Sequence, residues 1–166
     1  MRTIYSWRPE KMFPRPRRNR LEELAEAAAS ITGSGIVGTL SVSFVSEAEM
    51  EEINRAYVGH EGPTDVICFD YRESGCDLPR EGGDADSVEV EIIVCPAVAR
   101  REAAKRDLPY SREVILYLVH GLLHAAGEDD LKPGLKRIMR RRELKTINEL
   151  AKCFDFAKVF PDAVRS

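Results

Sequence analysis

A chain of 166 residues with 43% apolar and 32% charged content is sized for one domain built on a single core. No apolar run approaches the roughly 20 residues that cross a bilayer, and the polar start through Arg2, Trp7, Arg8 and Pro9 lacks a signal peptide's apolar heart, so the expectation is a cytoplasmic protein with no membrane partner. The formal net charge of −3 does not announce a nucleic-acid binder.

The charges are unevenly placed. Residues 1–20 hold seven Arg/Lys against one acid, and with Pro9, Pro14 and Pro16 they read as a basic, flexible N-terminal arm. A single domain over 21–166 is expected to follow. Leu21 to Ile31, rich in Ala, Leu and Glu, reads as a helix, and Gly33, Ser34, Gly35 and Gly38 as a loop. Thr39–Val45 alternates Leu40, Val42 and Phe44 with Thr39, Ser41 and Ser43, the period of a half-buried strand. Ser46 caps the next helix with Glu49 as its capping-box partner. That helix carries Met50, Ile53, Asn54 and Tyr57 and ends near Gly59. Residues 60–63 read as a turn, Val66–Tyr71 as a strand and the Gly- and acid-rich 72–86 as a loop. Val88–Cys95 is an apolar strand, and Pro96 opens a helix over 97–106. A helix over 110–126 shows Val114, Leu118, Val119, Leu122 and Leu123 at helical spacing, and a last one runs from about 132 to the early 150s. Its cations Lys136, Arg137, Arg140, Arg141, Arg142 and Lys145 fit either a solvated face or a phosphate-neutralising patch. The order implies an α+β (α/β-type) domain with a small mixed sheet packed by helices.

The chemistry concentrates in one stretch. His120 and His124 stand at i and i+4 of the 110–126 helix, on one face and one turn apart. Gly127 suits the helix end, where a left-handed residue reverses the chain. The returning segment carries Glu128, Asp129 and Asp130. One carboxylate from it completes an N,N,O set suited to zinc, which uses bonds of roughly 2.0–2.2 Å. Three protein ligands leave a fourth position for water, whose pKa a bound metal lowers toward about 7. The site thus falls at the end of a central helix. Gly121 argues against a zincin-type protease, where Glu follows the first His as general base. Cys68, Cys76, Cys95 and Cys153 form no CxxC pair, so free thiols are expected rather than a thiolate zinc site or a disulfide.

Three motifs in order resemble the YbeY endoribonuclease family, also described as an rRNA maturation factor. The family pattern His-Gly-x-Leu-His-x-x-Gly-x-Asp-His is met by His120, Gly121, Leu123, His124, Gly127 and Asp129. Asn54, Tyr57, Gly59, Pro63, Thr64, Asp65, Val66 and Phe69 follow its turn-and-strand element, and Val90-Glu91-Ile92-Ile93-Val94-Cys95 is similar to a third. The resemblance runs from about Leu40 to the final helix. It implies a zinc-dependent RNase cutting single-stranded RNA, matured small-subunit rRNA 3′ ends, ribosome quality control and ribosomal particles as partners. It places one zinc on His120, His124 and Asp130, with no organic cofactor.

Three departures carry consequences. The third ligand is His in most members and Asp130 here, which adds negative charge and implies slower chemistry or a changed metal preference. The Arg that precedes the turn glycine is Val58 here, and Val cannot clamp phosphate; Arg55 and His60 are the substitutes within reach. Val90 replaces a strand glycine and is expected to narrow the cleft. Thr64 and Asp65 fit either a turn cap or support of a histidine N–H. Glu91 fits either the cleft rim or a solvent-facing strand position. No general base stands out, so Arg55, His60 and Glu91 are the catalytic candidates. Either metal hydroxide or the RNA's own 2′-hydroxyl serves as nucleophile. The rival reading is a non-catalytic ribosome-assembly factor with a structural metal.

Overall fold

Four strands and six α-helices build the protein in a computed structural model that describes residues 1–59, 64–72 and 87–162. In chain order they are β1 (Arg2–Arg8), α1 (Arg18–Thr32), β2 (Thr39–Val45), α2 (Glu47–Ile53), β3 (Val66–Asp70), β4 (Val88–Val94), α3 (Pro96–Lys105), α4 (Tyr110–Ala125), α5 (Pro133–Cys153) and α6 (Phe156–Val159). A π-turn over Asn54–Val58 continues α2, and Gly59, at φ +77°, closes it through its N–H to Asn54 O. The expected 60–63 turn, most of the 72–86 loop, His60 and Cys76 lie outside the described residues.

The sheet runs β1-β2-β4-β3, with β1-β2 and β2-β4 parallel and β3-β4 antiparallel. It is the small mixed sheet of an α+β domain. The first strand corrects the expectation of a flexible arm. Arg2–Arg8 pairs in register with Thr39–Val45. Tyr5 and Trp7 pack against the core, and the Trp7 ring lies 4.9 Å from that of Phe44. The arginines and prolines masked a period-2 pattern whose aromatic members supply the buried face. Beyond the strand, Phe13 is buried and packs on Tyr110.

β2 is buried more completely than its alternation implies. Leu40, Val42 and Phe44 are 0% exposed, but Thr39 and Ser43 are also buried. β2 lies between β1 and β4, so their side chains flank its short polar ones and shield them. Ser46 caps α2 by accepting the Glu49 N–H, as expected. The reciprocal half of the box is absent, because the Glu49 side chain pairs with Arg8 at 2.9 Å instead.

α4 is the central helix, touching α1, α3, α5, α6, β3 and β4. Its crossing of β4 is close. A Cβ at Gly121 would stand 2.9 Å from Ile92 Cγ2, so only glycine admits this approach. The short α6, not expected from sequence, buries Val159, and Phe160 after it packs at a tilt on Phe44. Cys68, Cys95 and Cys153 are free; burial pushes the Cys68 thiol up to about 12 and Cys95 up to about 11, so both stay protonated. No described helix is long and apolar enough to cross a membrane.

Candidate metal centre

One face of α4 carries Glu113, Tyr117, His120 and His124, spaced three or four residues apart. The helix ends in a Schellman motif: Gly127 donates to His124 O and Glu128 to Leu123 O, each at 3.0 Å. Gly127 sits at φ +94°, which a side chain would oppose. The chain then turns back, as expected. Arg142 of α5 pins this return by pairing with the Glu128 carboxylate and donating to Thr32 O at 2.8 Å. Asp129 is used locally, its Oδ1 accepting the Leu131 N–H at 2.9 Å. That leaves Asp130 to face the histidines.

The three side chains converge. The two Nε2 atoms are 3.0 Å apart, Asp130 Oδ2 lies 3.6 Å from His120 Nε2, and Asp130 Oδ1 lies 3.8 Å from His124 Nε2. Ligands about 2.1 Å from a tetrahedral ion stand about 3.4 Å from one another. The observed separations bracket that value. The group is compatible with a metal ion, all its ligand atoms falling within 4.8 Å of one another.

Both imidazoles are held from behind. Glu143 of α5 accepts from His120 Nδ1 at 2.5 Å, and the Glu128 carbonyl accepts from His124 Nδ1 at 3.1 Å. With each Nδ1 carrying the proton, each Nε2 presents its lone pair to the common point. Burial opposes a charged His120, but the hydrogen bond to Glu143 and the charges of Glu143, Asp65 and Asp130 outweigh it and raise the pKa. Asp65 takes the capping role: its Oδ1 accepts from Val66 N–H at 2.8 Å and the Thr64 hydroxyl at 3.3 Å. Its charge reaches His120 through space.

His120 and Asp130 sit at one end of a cleft of about 470 Å³. Glu113 and Tyr117 continue it along α4; α3 adds Val98, Glu102 and Arg106; α5 adds Lys136, Met139, Arg140 and Glu143. Glu113 is 1% exposed and pairs with Arg106 at 3.3 Å. Burial raises its carboxyl pKa against the pull of Arg106.

Of the sequence-derived catalytic candidates, the structure brings neither Arg55 nor Glu91 here. Arg55, on the π-turn, pairs with Glu51 at 3.3 Å and does not line the cleft. Ile92 faces α4, so strand alternation sends Glu91 to the opposite face, where it accepts from the Tyr71 hydroxyl at 2.8 Å. Val90 shares the Ile92 face and is a fully buried core residue, so it does not narrow the cleft. His60 lies outside the described residues. Conversely, Glu143 escapes a reading of the sequence, because 23 residues separate it from His120 and it follows a run of three arginines.

A family profile described as Endoribonuclease YbeY matches residues 10–151. The chain belongs to the YbeY endoribonuclease family. The match begins well before Leu40, taking in α1. An Endoribonuclease YbeY of Alcanivorax borkumensis is 33% identical over 122 residues, 74% of this chain and 68% of that protein. Those of Frankia alni and Pelotomaculum thermopropionicum are 32% and 30% identical over 130 residues each, covering 77% and 78% of this chain and 72% and 84% of theirs. The solution structure of TM1509 from Thermotoga maritima superimposes with a TM-score of 0.57 at 25% identity, covering 90% of each chain.

Proposed function

We propose that this YbeY-family chain is a zinc-dependent endoribonuclease that cuts single-stranded RNA, with His120, His124 and Asp130 holding one zinc ion. The carrying observation is the convergence of those three ligand atoms, within 4.8 Å of one another, at the end of a cleft with cationic side chains. A bound divalent ion would supply Lewis acidity and a nucleophile at neutral pH. The protein's part is to prepare that site. Glu143 and the Glu128 carbonyl hold the Nδ1 protons and aim both Nε2 lone pairs. Arg142 fixes the loop that delivers Asp130. The two nitrogens and one oxygen are a donor set that zinc accepts.

Family membership supports the rest of the reading: maturation of the small-subunit rRNA 3′ end and ribosome quality control, on ribosomal particles in the cytoplasm. Val58, where the family has Arg, favours a second reading as a ribosome-assembly factor whose metal is structural.

The test is freshly isolated protein assayed for metal and then for cleavage of a fluorescent single-stranded RNA, with and without chelator. About one zinc per chain, and cleavage lost both on chelation and in His120→Ala, is the expected outcome. Cleavage that survives in His120→Ala marks a contaminating nuclease and removes the support. Zinc-loaded protein that binds ribosomal particles but never cuts RNA favours the assembly reading.

A further inference from the structure

The cleft carries cations that metal ligation does not use. Each of its acids is engaged. Glu102 pairs with Lys105 at 2.9 Å and Glu113 with Arg106 at 3.3 Å. Glu143 accepts from His120, Asp65 caps its own turn, and Asp130 faces the histidines. Two cations on the α5 wall are different. Lys136 and Arg140 stand one turn apart, both exposed, and neither enters an ion pair or side-chain hydrogen bond among the described residues. Glu143 lies on the same face, three residues beyond Arg140, and Met139, between Lys136 and Arg140 in the chain, packs into the core. The cations therefore line the approach to the histidine end of the cleft.

We propose that Lys136 and Arg140 are a phosphate clamp for the RNA, seating successive backbone phosphates so that the strand reaches His120 and Asp130. This rests on the ribonuclease reading and names the residues that hold its substrate. Exposed cations without an ion-pair partner on one wall of a groove attract a polyanion, and a single strand lays its phosphates along one wall. Arg106 adds a third cation from the α3 side. Its guanidinium spends one N–H on the buried Glu113 and is 55% exposed, so it is oriented with donors to spare. Glu113 is thus a positioning residue for Arg106. The other α5 cations point elsewhere: Arg142 is tied to Glu128 and Thr32, and Arg137 and Arg141, one position further round the helix, do not line the cleft.

That last contrast gives the test. Two double variants, Lys136→Ala/Arg140→Ala and Arg137→Ala/Arg141→Ala, remove the same charge from the same exposed helix. Binding of a fluorescent single-stranded oligoribonucleotide is followed by anisotropy on chelated protein across a salt series, so that cleavage plays no part. Lys136→Ala/Arg140→Ala should bind about tenfold more weakly, with the slope of log K against log salt reduced by about 1.4, two phosphates' worth for a single strand. Arg137→Ala/Arg141→Ala should stay within about twofold of the parent. In the cleavage assay the first pair should raise KM and leave kcat and zinc content nearly unchanged. Equal losses in both doubles mean diffuse attraction and overturn the clamp; so does unchanged binding in the first, or a parent that binds no RNA. A parent that binds through Lys136 and Arg140 but never cleaves keeps the clamp and sinks the nuclease reading. A parent that cleaves, with both doubles binding and cutting as it does, has the reverse result.

Discussion

Glu143 accepts a hydrogen bond from His120 Nδ1 at 2.5 Å, and this contact ties α5 directly to one of the two histidines. It sets the tautomer, raises the basicity of Nε2 and fixes the ring plane. Glu143→Ala should weaken zinc binding about 10- to 100-fold, with Glu143→Gln between it and the parent, since an amide oxygen accepts but brings no charge. Chelator-competition titration reads the affinities, and thermal unfolding of the chelated proteins separates them from a loss of fold. Parental affinity in both variants would show that α5 holds the helix pair together and does nothing for the ion.

The approach of Gly121 to Ile92 makes a second prediction. A methyl at 121 would meet the Ile92 side chain at 2.9–3.1 Å, and Ile92 is wholly buried with nowhere to retreat. Helix propensity favours alanine by about 1 kcal/mol. Overpacking costs about 1–3 kcal/mol and should win. Gly121→Ala is therefore expected to lose about 1–2 kcal/mol in urea unfolding, and to bind zinc less tightly as α4 lifts from β4. Combining it with Ile92→Val should recover part of the loss. A stabilised single variant would mean the helix moves freely at this crossing.

How much of this was legible beforehand depended on how local the signal was. The strands β2, β3 and β4, the helices α1, α3, α4 and α5, and the convergence of His120, His124 and a returning carboxylate all follow from periodicity, caps and i, i+4 spacing, which act over one or two turns. β1 is hidden in the sequence because the arginines and prolines of residues 1–20 dominate composition, while what makes it a strand is Tyr5 and Trp7 meeting Phe44 some forty residues on. Glu143 is hidden for the same reason, since nothing near it in the chain reveals that α5 folds back over His120. Arg55 is a candidate because it stands one turn before Val58, and Glu91 because it lies in the β4 motif. The π-turn and the strand alternation carry them to other surfaces.

Acid sensitivity should track Asp70 at the end of β3. The hydrogen bonds from Arg72, at 2.8 and 2.9 Å, hold its pKa below the usual carboxylate range. A depressed folded pKa means that the stabilisation is fully present above the unfolded value of about 3.9 and is lost as pH falls through the folded one. Arg72 also donates to Ser34 O and Ala125 O, each at 2.8 Å, so the pair ties the sheet to the end of α4. Asp70→Asn should cost about 1–2 kcal/mol at pH 7, and the gap to the parent should close as pH drops below about 4. Urea unfolding at a series of pH values reads both, and a gap that stays constant with pH would remove the ion pair from the explanation.

Asp130 and Asp129 are adjacent carboxylates that are differently employed. Asp130 faces both Nε2 atoms within 3.8 Å, whereas Asp129 accepts the Leu131 N–H and shapes the turn. Asp130→Ala removes one of three ligands and should lower zinc affinity by about a hundredfold or more, while Asp129→Ala should lower it only a few-fold. Asp130→His restores a nitrogen ligand and removes one negative charge from beside the incoming phosphodiester. It should keep zinc bound and cleave single-stranded RNA faster than the parent, because a less neutralised ion is the stronger Lewis acid and repels its anionic substrate less. Zinc titration of the three variants ranks the carboxylates, and single-turnover cleavage compares Asp130→His with the parent. If Asp129→Ala proves the more damaging of the two alanine variants, the ligand set must be redrawn around residue 129. If Asp130→His binds zinc yet cuts more slowly, the aspartate is contributing to the reaction rather than restraining it.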